Sequence, residues 1–466
     1  MVGACADGAG KSLSVQRDAM ADARTGATAG RAYLRHFVGT FDRPGAAVCF
    51  VEGRSHSVMS TSMKPLSGVR VADFTWIGAG SFTTKLLADF GADVIKIESA
   101  SRLDTLRDGA PFKDGIRGVN RSGYFADRNS SKRSVTIDMK QPAGQALARK
   151  LIAQSDVVAN NFTPGTMEKF GLGYEAVRAI RDDIVYVSMS MQGSSGPEYK
   201  YLGYGLTIGA LTAMQYLSGQ PDREPAGTGT NFPDHIPNPC HAAFAILAAL
   251  RHRRRTGQGQ YIDIAQTEPM ISLLGPAVMQ WTANSEVTER RGNQHVAGSP
   301  HGVYPCAGED RWIAISAITL SAWRGLVQVL GLSDLAADVR LLHADARWER
   351  RHQIGEAIAD ATRSWDADEL MDTLQAAGVA AGVVRDAAAI VTRDPQLQAR
   401  HHWVRLQHPE MGESVYNAPA FRMSGAEIGP YSPAPLLGQH TDEVCQDVLG
   451  MTKDEIAALT EAGVLR

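Results

Sequence analysis

The 466-residue sequence predicts an α/β fold with a mostly parallel sheet, followed by a smaller α+β unit. Three observations carry this. Short Val/Ile-rich runs alternate with helical patterns from Pro65 onward. Those runs are apolar at nearly every position, as strands covered on both faces are. Near Gly292 the alternation gives way to a hairpin pattern and a series of helices.

The elements follow in order. Val69–Thr75 (VRVADFT) reads as the first strand, ending at Gly78 and Gly80. Ser81–Phe90 has helical spacing, with Phe82, Leu86, Leu87 and Phe90 apolar; Gly91 stops it and Asp93–Glu98 (DVIKIE) is the second strand. Ser134–Met139, Asp156–Asn161, Ile184–Ser190 and Tyr261–Ile264 continue the strand series, with helices at Pro142–Gln154 and near Tyr174–Ile180. Ligands of such a sheet belong at the carboxyl ends of its strands. His301–Ile318 reads as a hairpin, with helices at Ser321–Leu330, His352–Thr362 and Ala367–Ala377 and a terminal helix at Thr452–Ala462.

Composition narrows the function classes. Lys+Arg 47 against Asp+Glu 50 gives a net charge of −3, so no excess of either sign points to nucleic acid or an anionic membrane. The longest purely apolar stretch, Ala242–Leu250, is nine residues and too short to span a bilayer. Cys5, Cys49, Cys240, Cys306 and Cys445 are scattered without zinc-ligand spacing, which suits a reducing cytoplasm better than a disulfide framework. Residues 1–62 are rich in Ala, Gly, Ser, Thr and Arg with no apolar periodicity, and read as a disordered extension; Met59 and Met63 offer alternative starts.

Two segments carry candidate chemistry. Gly78-Ala79-Gly80 between strand and helix, with Glu98 about twenty residues on, has the outline of a dinucleotide fingerprint, although Thr83 replaces the third glycine. Ordinary turn chemistry is the alternative. The second segment, Phe232–Pro239, has three prolines in eight residues and predicts a stiff, non-helical turn, with Asn238 as N-cap and Pro239 as first residue of a helix running to Gly257. Asp234 stands on that turn, close to backbone N–H groups able to receive an anion.

Taken in order, PLSGVRVADFT (65–75), ADFGADVIKIE (88–98), NSSKRSVTIDMK (129–140), NFTPGTMEKFGLGYE (161–175), GSSGP (193–197), PDH (233–235) and AILAALRHRRRTGQGQYIDIAQ (245–266) resemble the class III CoA-transferases of the formyl-CoA transferase type. The resemblance runs from about Pro65 to the C-terminus. It implies a Rossmann-like large domain, a small α+β domain and an interlocked homodimer. It also implies an acyl-CoA:carboxylate CoA-transferase that uses acyl-CoA and a carboxylic acid as substrates, with no permanently bound cofactor and no metal.

The resemblance further implies that Asp234 is the nucleophile, passing through an acyl-aspartyl anhydride and an aspartyl-CoA thioester. CoA would be bound by Trp76, Ile77, Gly78 and Ala79 after the first strand. Ile137, Met139 and Lys140 would take the adenine side, and Asn161, Phe162, Thr166 and Lys169 the turn beyond another strand. Lys140 and Lys169 could meet CoA phosphates as point charges, the alternative being solvated surface lysines. Gly78 replaces a glutamine and Tyr204-Gly205 a Tyr-Glu pair of formyl-CoA transferase, so formate and oxalate are not expected as substrates. An α-methylacyl-CoA racemase on the same fold is an alternative, and it needs a His-Asp pair where Tyr204-Gly205 stands. A nicotinamide- or flavin-binding oxidoreductase is another. His301 is a candidate for the acyl pocket. The expected division is 63–266 for the first part of the large CoA-binding domain, 267–291 as linker, 292–384 as small domain and 385–466 as the return to the large domain.

Overall fold

The structure is a computed structural model that describes residues 63–295 and 298–466. The extension expected over 1–62 lies outside the described residues.

Six strands form one sheet: β1 (Arg70–Asp73), β2 (Asp93–Glu98), β3 (Arg133–Thr136), β4 (Val157–Asn160), β5 (Val185–Ser190) and β6 (Gln260–Ala265). Their order is β3-β2-β1-β4-β5-β6, and every neighbouring pair is parallel. The order reverses between β1 and β4, the place where sheets of this kind open a crevice for ligand.

Consecutive strand residues face opposite layers. Ala72, Ile95, Val135 and Val158 pack with Leu147, Leu151 and Ile152 of the Pro142–Ala153 helix. Val71, Val94, Val157, Val185 and Val187 pack instead with Ala79 and Leu87 of the Ile77–Asp89 helix and Ala242 and Ile246 of the Pro237–Thr256 helix. Small side chains let these last two helices lie against each other. Val444, Cys445, Ile456 and Leu465 from the end of the chain join the first of these layers. The final helix, Lys453–Glu461, begins at a capping box formed by Thr452 and Glu455.

A second core lies within 301–383. The antiparallel sheet β7 (His301–Pro305), β8 (Trp312–Ser316) and β9 (Ala380–Val383) is ordered β7-β8-β9. Ile313, Ile315, Trp323, Leu326, Ile354, Leu370 and Leu374 fill the space between it and its helices. A two-stranded hairpin, β10 (Trp403–His408) and β11 (Gly412–Asn417), follows.

Three local expectations need correction. The first helix starts at Ile77 and not at Ser81, because side chains from elsewhere in the fold take the amides at its start. Phe232–His235 is one helical turn and not an irregular loop. The long helix opens with Pro237 after Ile236, which leaves Asn238 and Pro239 inside it. Asn238 is fully buried and its amide donates to Gln266 Oε1 at 3.3 Å, so it is a packing residue and not a cap.

Candidate active site

The helical turn Phe232–His235 carries Asp234 to the carboxyl edge of the sheet, where only 6% of it is exposed. Its side chain is wedged between two glycines. A Cβ on Gly78 would stand 2.5 Å from Asp234 Cβ and 2.7 Å from Oδ2, and one on Gly205 would stand 3.3 Å from Oδ2. No larger residue fits at position 78 while Asp234 keeps this place. Among the described residues the carboxylate accepts no hydrogen bond. Burial pushes its pKa up to about 6, opposed by the Arg128 guanidinium.

Its neighbour His235 does not line the cavity that Asp234 borders. Burial and Arg128 pull it down to about 4, its Nδ1 meets Thr230 Oγ1 at 3.2 Å, and its Nε2 is buried without a partner. Arg128 is itself buried, 4.6 Å above the Phe82 ring.

Asp234 borders a cavity of about 580 Å3. Trp76, Ile77, Ala79, Ile137, Met139, Lys140, Asn161, Phe162, Thr166 and Lys169 all line it, and Gly78 forms the contact with Asp234. The structure therefore gathers all twelve residues singled out from the sequence around one hollow. Residues at the carboxyl ends of all six strands build it. Trp76 and Phe162 meet edge to face at 5.5 Å, with Arg102 on the other ring contact of Trp76 at 5.5 Å. Lys140 and Lys169 are exposed.

Asn161 lines the hollow and also grips the chain beside it. Its Oδ1 accepts from Trp76 N–H at 2.8 Å and its Nδ2 donates to Trp76 O at 2.7 Å, which clamps the backbone of Trp76. The dinucleotide outline dissolves for two reasons. Gly78 and Gly80 lie inside the first turn of a helix. Glu98 is held by Arg107 through Nε–H and Nη2–H at 2.8 and 2.7 Å, both side chains being buried, so it is not free for a ribose.

Several lining residues gave no sequence signal. Arg102, Ser190, Met191, Tyr201, Leu202 and Gln266 also face the hollow. Ser190 Oγ is buried there without a partner. His301, by contrast, lines a separate depression with Asn293 and Ser316, and its Nδ1 lies 3.0 Å from Ser316 Oγ.

Comparison with known proteins settles the family. The model of CoA-transferase family III matches residues 66–441. This chain belongs to that family. A succinyl-CoA–D-citramalate CoA-transferase of Chloroflexus aurantiacus is 33% identical over 402 residues, which cover 86% of this chain and 98% of that protein. A succinate–glutarate CoA-transferase of Agrobacterium fabrum is 32% identical over 396 residues, 84% and 97% of the respective chains. A CAIB/BAIF family protein from Brucella suis, known by crystal structure, superposes with a TM-score of 0.76 at 32% identity, over 83% of this chain and 99% of that one. The protein is thus a CoA-transferase, acting between an acyl-CoA and a carboxylate. No helix of this transferase is long and apolar enough to cross a membrane, and no cluster of potential metal ligands occurs, both among the described residues.

Proposed function

We propose that this transferase moves CoA between a C4–C5 dicarboxylic acyl donor and a carboxylic acid, with Asp234 as covalent nucleophile. The single observation that carries the reading is a carboxylate 6% exposed, accepting no hydrogen bond from the described residues, at the wall of a cavity that opens on strand ends. The dicarboxylic substrate class is taken from the names of the relatives, which act on succinyl-CoA or succinate with citramalate or glutarate.

In the first step an Asp234 carboxylate oxygen attacks the thioester carbonyl, the C–S bond breaks, and CoA leaves as thiolate from a mixed anhydride. The thiolate then attacks the Asp234 carbonyl carbon, expelling the donor acid and leaving an aspartyl-CoA thioester. The acceptor carboxylate attacks that thioester, and the thiolate finally attacks the acceptor's acyl carbon in the new anhydride, restoring Asp234. Each step exchanges one anion for another, so no proton donor is required. Two features suit this chemistry. A carboxylate with a pKa of about 6 is ionised at neutral pH yet more basic than a solvated one. Burial keeps water from the anhydride. The first-turn amides of Gly78 and Ala79, which no described side chain caps, are the donors this reading assigns to the oxyanion.

Trp76, Phe162, Ile137 and Met139 offer apolar contact to the nucleotide and pantetheine, and Lys140 and Lys169 charge for the phosphates. Racemisation is disfavoured because no histidine lines the cavity among the described residues. We also infer a homodimer in the cytoplasm, with a large domain over 63–266 and 385–466 and a small one over 292–384. Between 201 and 287 Leu202, Leu206, Phe244, Met279 and Trp281 are each more than half exposed, as expected of a surface covered by a second copy.

The test is a chromatographic screen of succinyl-CoA against glutarate, citramalate, malate and mesaconate, with hydroxylamine or borohydride trapping. Asp234→Ala should lower transfer at least about 10⁴-fold and abolish modification of the Asp234 peptide. An Asp234→Ala enzyme that still transfers CoA would reject the reading. In the wild type, kcat/KM should fall about tenfold per pH unit below pH 6, as the carboxylate gains a proton.

A further inference from the structure

The corner between β1 and the Ile77–Asp89 helix is held with unusual completeness. Lys96 Nζ donates to Thr75 O at 2.6 Å, Asn161 takes both polar groups of Trp76, and Asp104 Oδ1 accepts from Ile77 N–H at 3.1 Å. Three consecutive residues are thus gripped by side chains from three separate segments. Asp104 and Lys96 are each fully buried and form an ion pair at 3.0 Å. Burial pulls Lys96 down, but Asp104, Asp73 and Glu98 outweigh it and hold its pKa above the ordinary lysine value.

Ile77 is the reason such a grip is needed. Its φ is +58°, a left-handed conformation that a β-branched residue adopts only where its surroundings enforce it. The next residue is Gly78, whose backbone touches Asp234 closely enough that a Cβ would overlap it. Were Ile77 to relax, the Gly78 peptide would swing away from the nucleophile or into it. The Asp104 carboxylate also meets the positive end of a thirteen-residue helix, where a negative charge is favoured. Asp104 itself does not line the cavity.

We infer that Asp104, with Lys96 as its counter-ion, is a positioning residue for CoA transfer: it keeps Ile77 left-handed and thereby seats Gly78 against Asp234. The inference rests on the proposed role of Asp234. Nothing in it requires Asp104 to touch substrate. The structure therefore assigns it an effect on kcat and little effect on acyl-CoA binding.

The experiment uses the full chain with succinyl-CoA and the best acceptor from the screen. Asp104→Ala should lower kcat about 100-fold, the typical cost of a 1 Å misplacement, with KM for succinyl-CoA within about threefold. Asp104→Asn, which keeps an acceptor for Ile77 N–H, should remain within about tenfold of wild type. Adding Ile77→Gly to Asp104→Ala should restore about tenfold in kcat, since glycine adopts positive φ without help. Loss of packing alone would give no such rescue. If Asp104→Ala does not fold, Lys96→Met with Asp104→Leu removes both charges from the core together and should fold, with the same loss in kcat. A folded Asp104→Ala or Lys96→Met/Asp104→Leu enzyme with kcat within about threefold of wild type overturns the inference, as does a double variant with Ile77→Gly no faster than Asp104→Ala. Asp234→Ala runs in parallel. If it still transfers CoA, this inference falls together with the proposed function; if it is dead while Asp104→Ala is active, only the positioning role falls.

Discussion

The floor beneath the cavity and the core of the 301–383 region are built on opposite plans. Below the β1–helix corner, Asp73, Lys96, Asp104 and Lys132 are all fully buried, with Glu98 and Arg107 close behind. Within 301–383 the buried volume is mostly aliphatic, with Trp323, Tyr304, Cys306 and Thr362 among it, and among the described residues there Arg347 is the one fully buried charged side chain. It pairs with no carboxylate. It donates to the carbonyls of Ser299, Ile318 and Leu341 at 2.8–3.0 Å, tying chain segments together. An apolar core is the cheaper way to stability, since removing charges from water costs more than their attraction returns unless every partner is placed. Paired charges have one well-satisfied arrangement where packed methyl groups have several. They belong where backbone position matters most, and here that is next to Asp234.

The largest test of this contrast is Lys132→Met. Lys132 Nζ lies 3.0 Å from Asp73 Oδ2 and donates to Ser81 O, Thr84 Oγ1 and Asn129 Oδ1. Burial outweighs its pairing with Asp73 and lowers its pKa to about 8, so the charge is already held at a cost. For Asp73 burial acts upward, but Lys132, Lys96 and Thr75 outweigh it and keep its carboxyl below the usual range. Without Lys132 that carboxylate loses its directly paired cation and keeps Lys96 and the Thr75 and Thr84 hydrogen bonds against its burial, and stability by chemical denaturation should drop by about 3 kcal/mol. Adding Asp73→Asn should return more than half of the loss without restoring full activity. A double variant as active as wild type would show the pair to be dispensable for position.

Leu370→Ala makes the matching probe on the other side. Leu370 is fully buried between the helices over the β7–β9 sheet, and truncation should cost about 2–5 kcal/mol. Here kcat at temperatures below the midpoint should stay at the wild-type value. A kcat that fell with stability would mean that the aliphatic core also tunes the site, and the contrast would blur.

How much of this was legible follows the same divide. Strands such as Val157–Asn160 and Val185–Ser190 announce themselves because β-branched residues buried on both faces leave a run in the sequence. The strand Ala380–Val383 does not, since Ala-Ala-Gly-Val carries neither alternation nor bulk. The lining of the cavity was readable as an ordered set of motifs resembling a known family; the residues alone suggested only a rigid turn bearing Asp234. The ion pairs were invisible. Glu98 in DVIKIE reads as the acid of a dinucleotide outline and Lys96 carries no signal, while their partners Asp104 and Arg107 meet them through a segment whose course depends on tertiary packing. Asn161 shows the converse: its place at the cavity was legible, but its grip on Trp76 was not.

The smallest expected effect is also opposite in sign. Asp234 is buried and accepts no hydrogen bond from the described residues, and its pKa of about 6 lies above the 3.8 of an ordinary aspartate. Between those two values the folded state holds a proton that the unfolded state has released, so stability falls as pH rises through the window from about 4 to about 6. Above it the full penalty of a desolvated, unpaired charge remains. Asp234→Asn removes that charge at nearly constant volume and should stabilise the protein by about 1–3 kcal/mol at pH 7 while abolishing transfer. The gain should disappear below about pH 4, where both states are protonated in the wild type. Lys132→Met should show no such gain at any pH, because removing that cation takes the direct partner from the buried Asp73 carboxylate, whereas removing the Asp234 charge takes a partner from no described residue. Were Asp234→Asn instead to destabilise at pH 7, the carboxylate would have to be held by interactions absent from the described chain, and a second copy covering the 201–287 surface would be the first place to seek them.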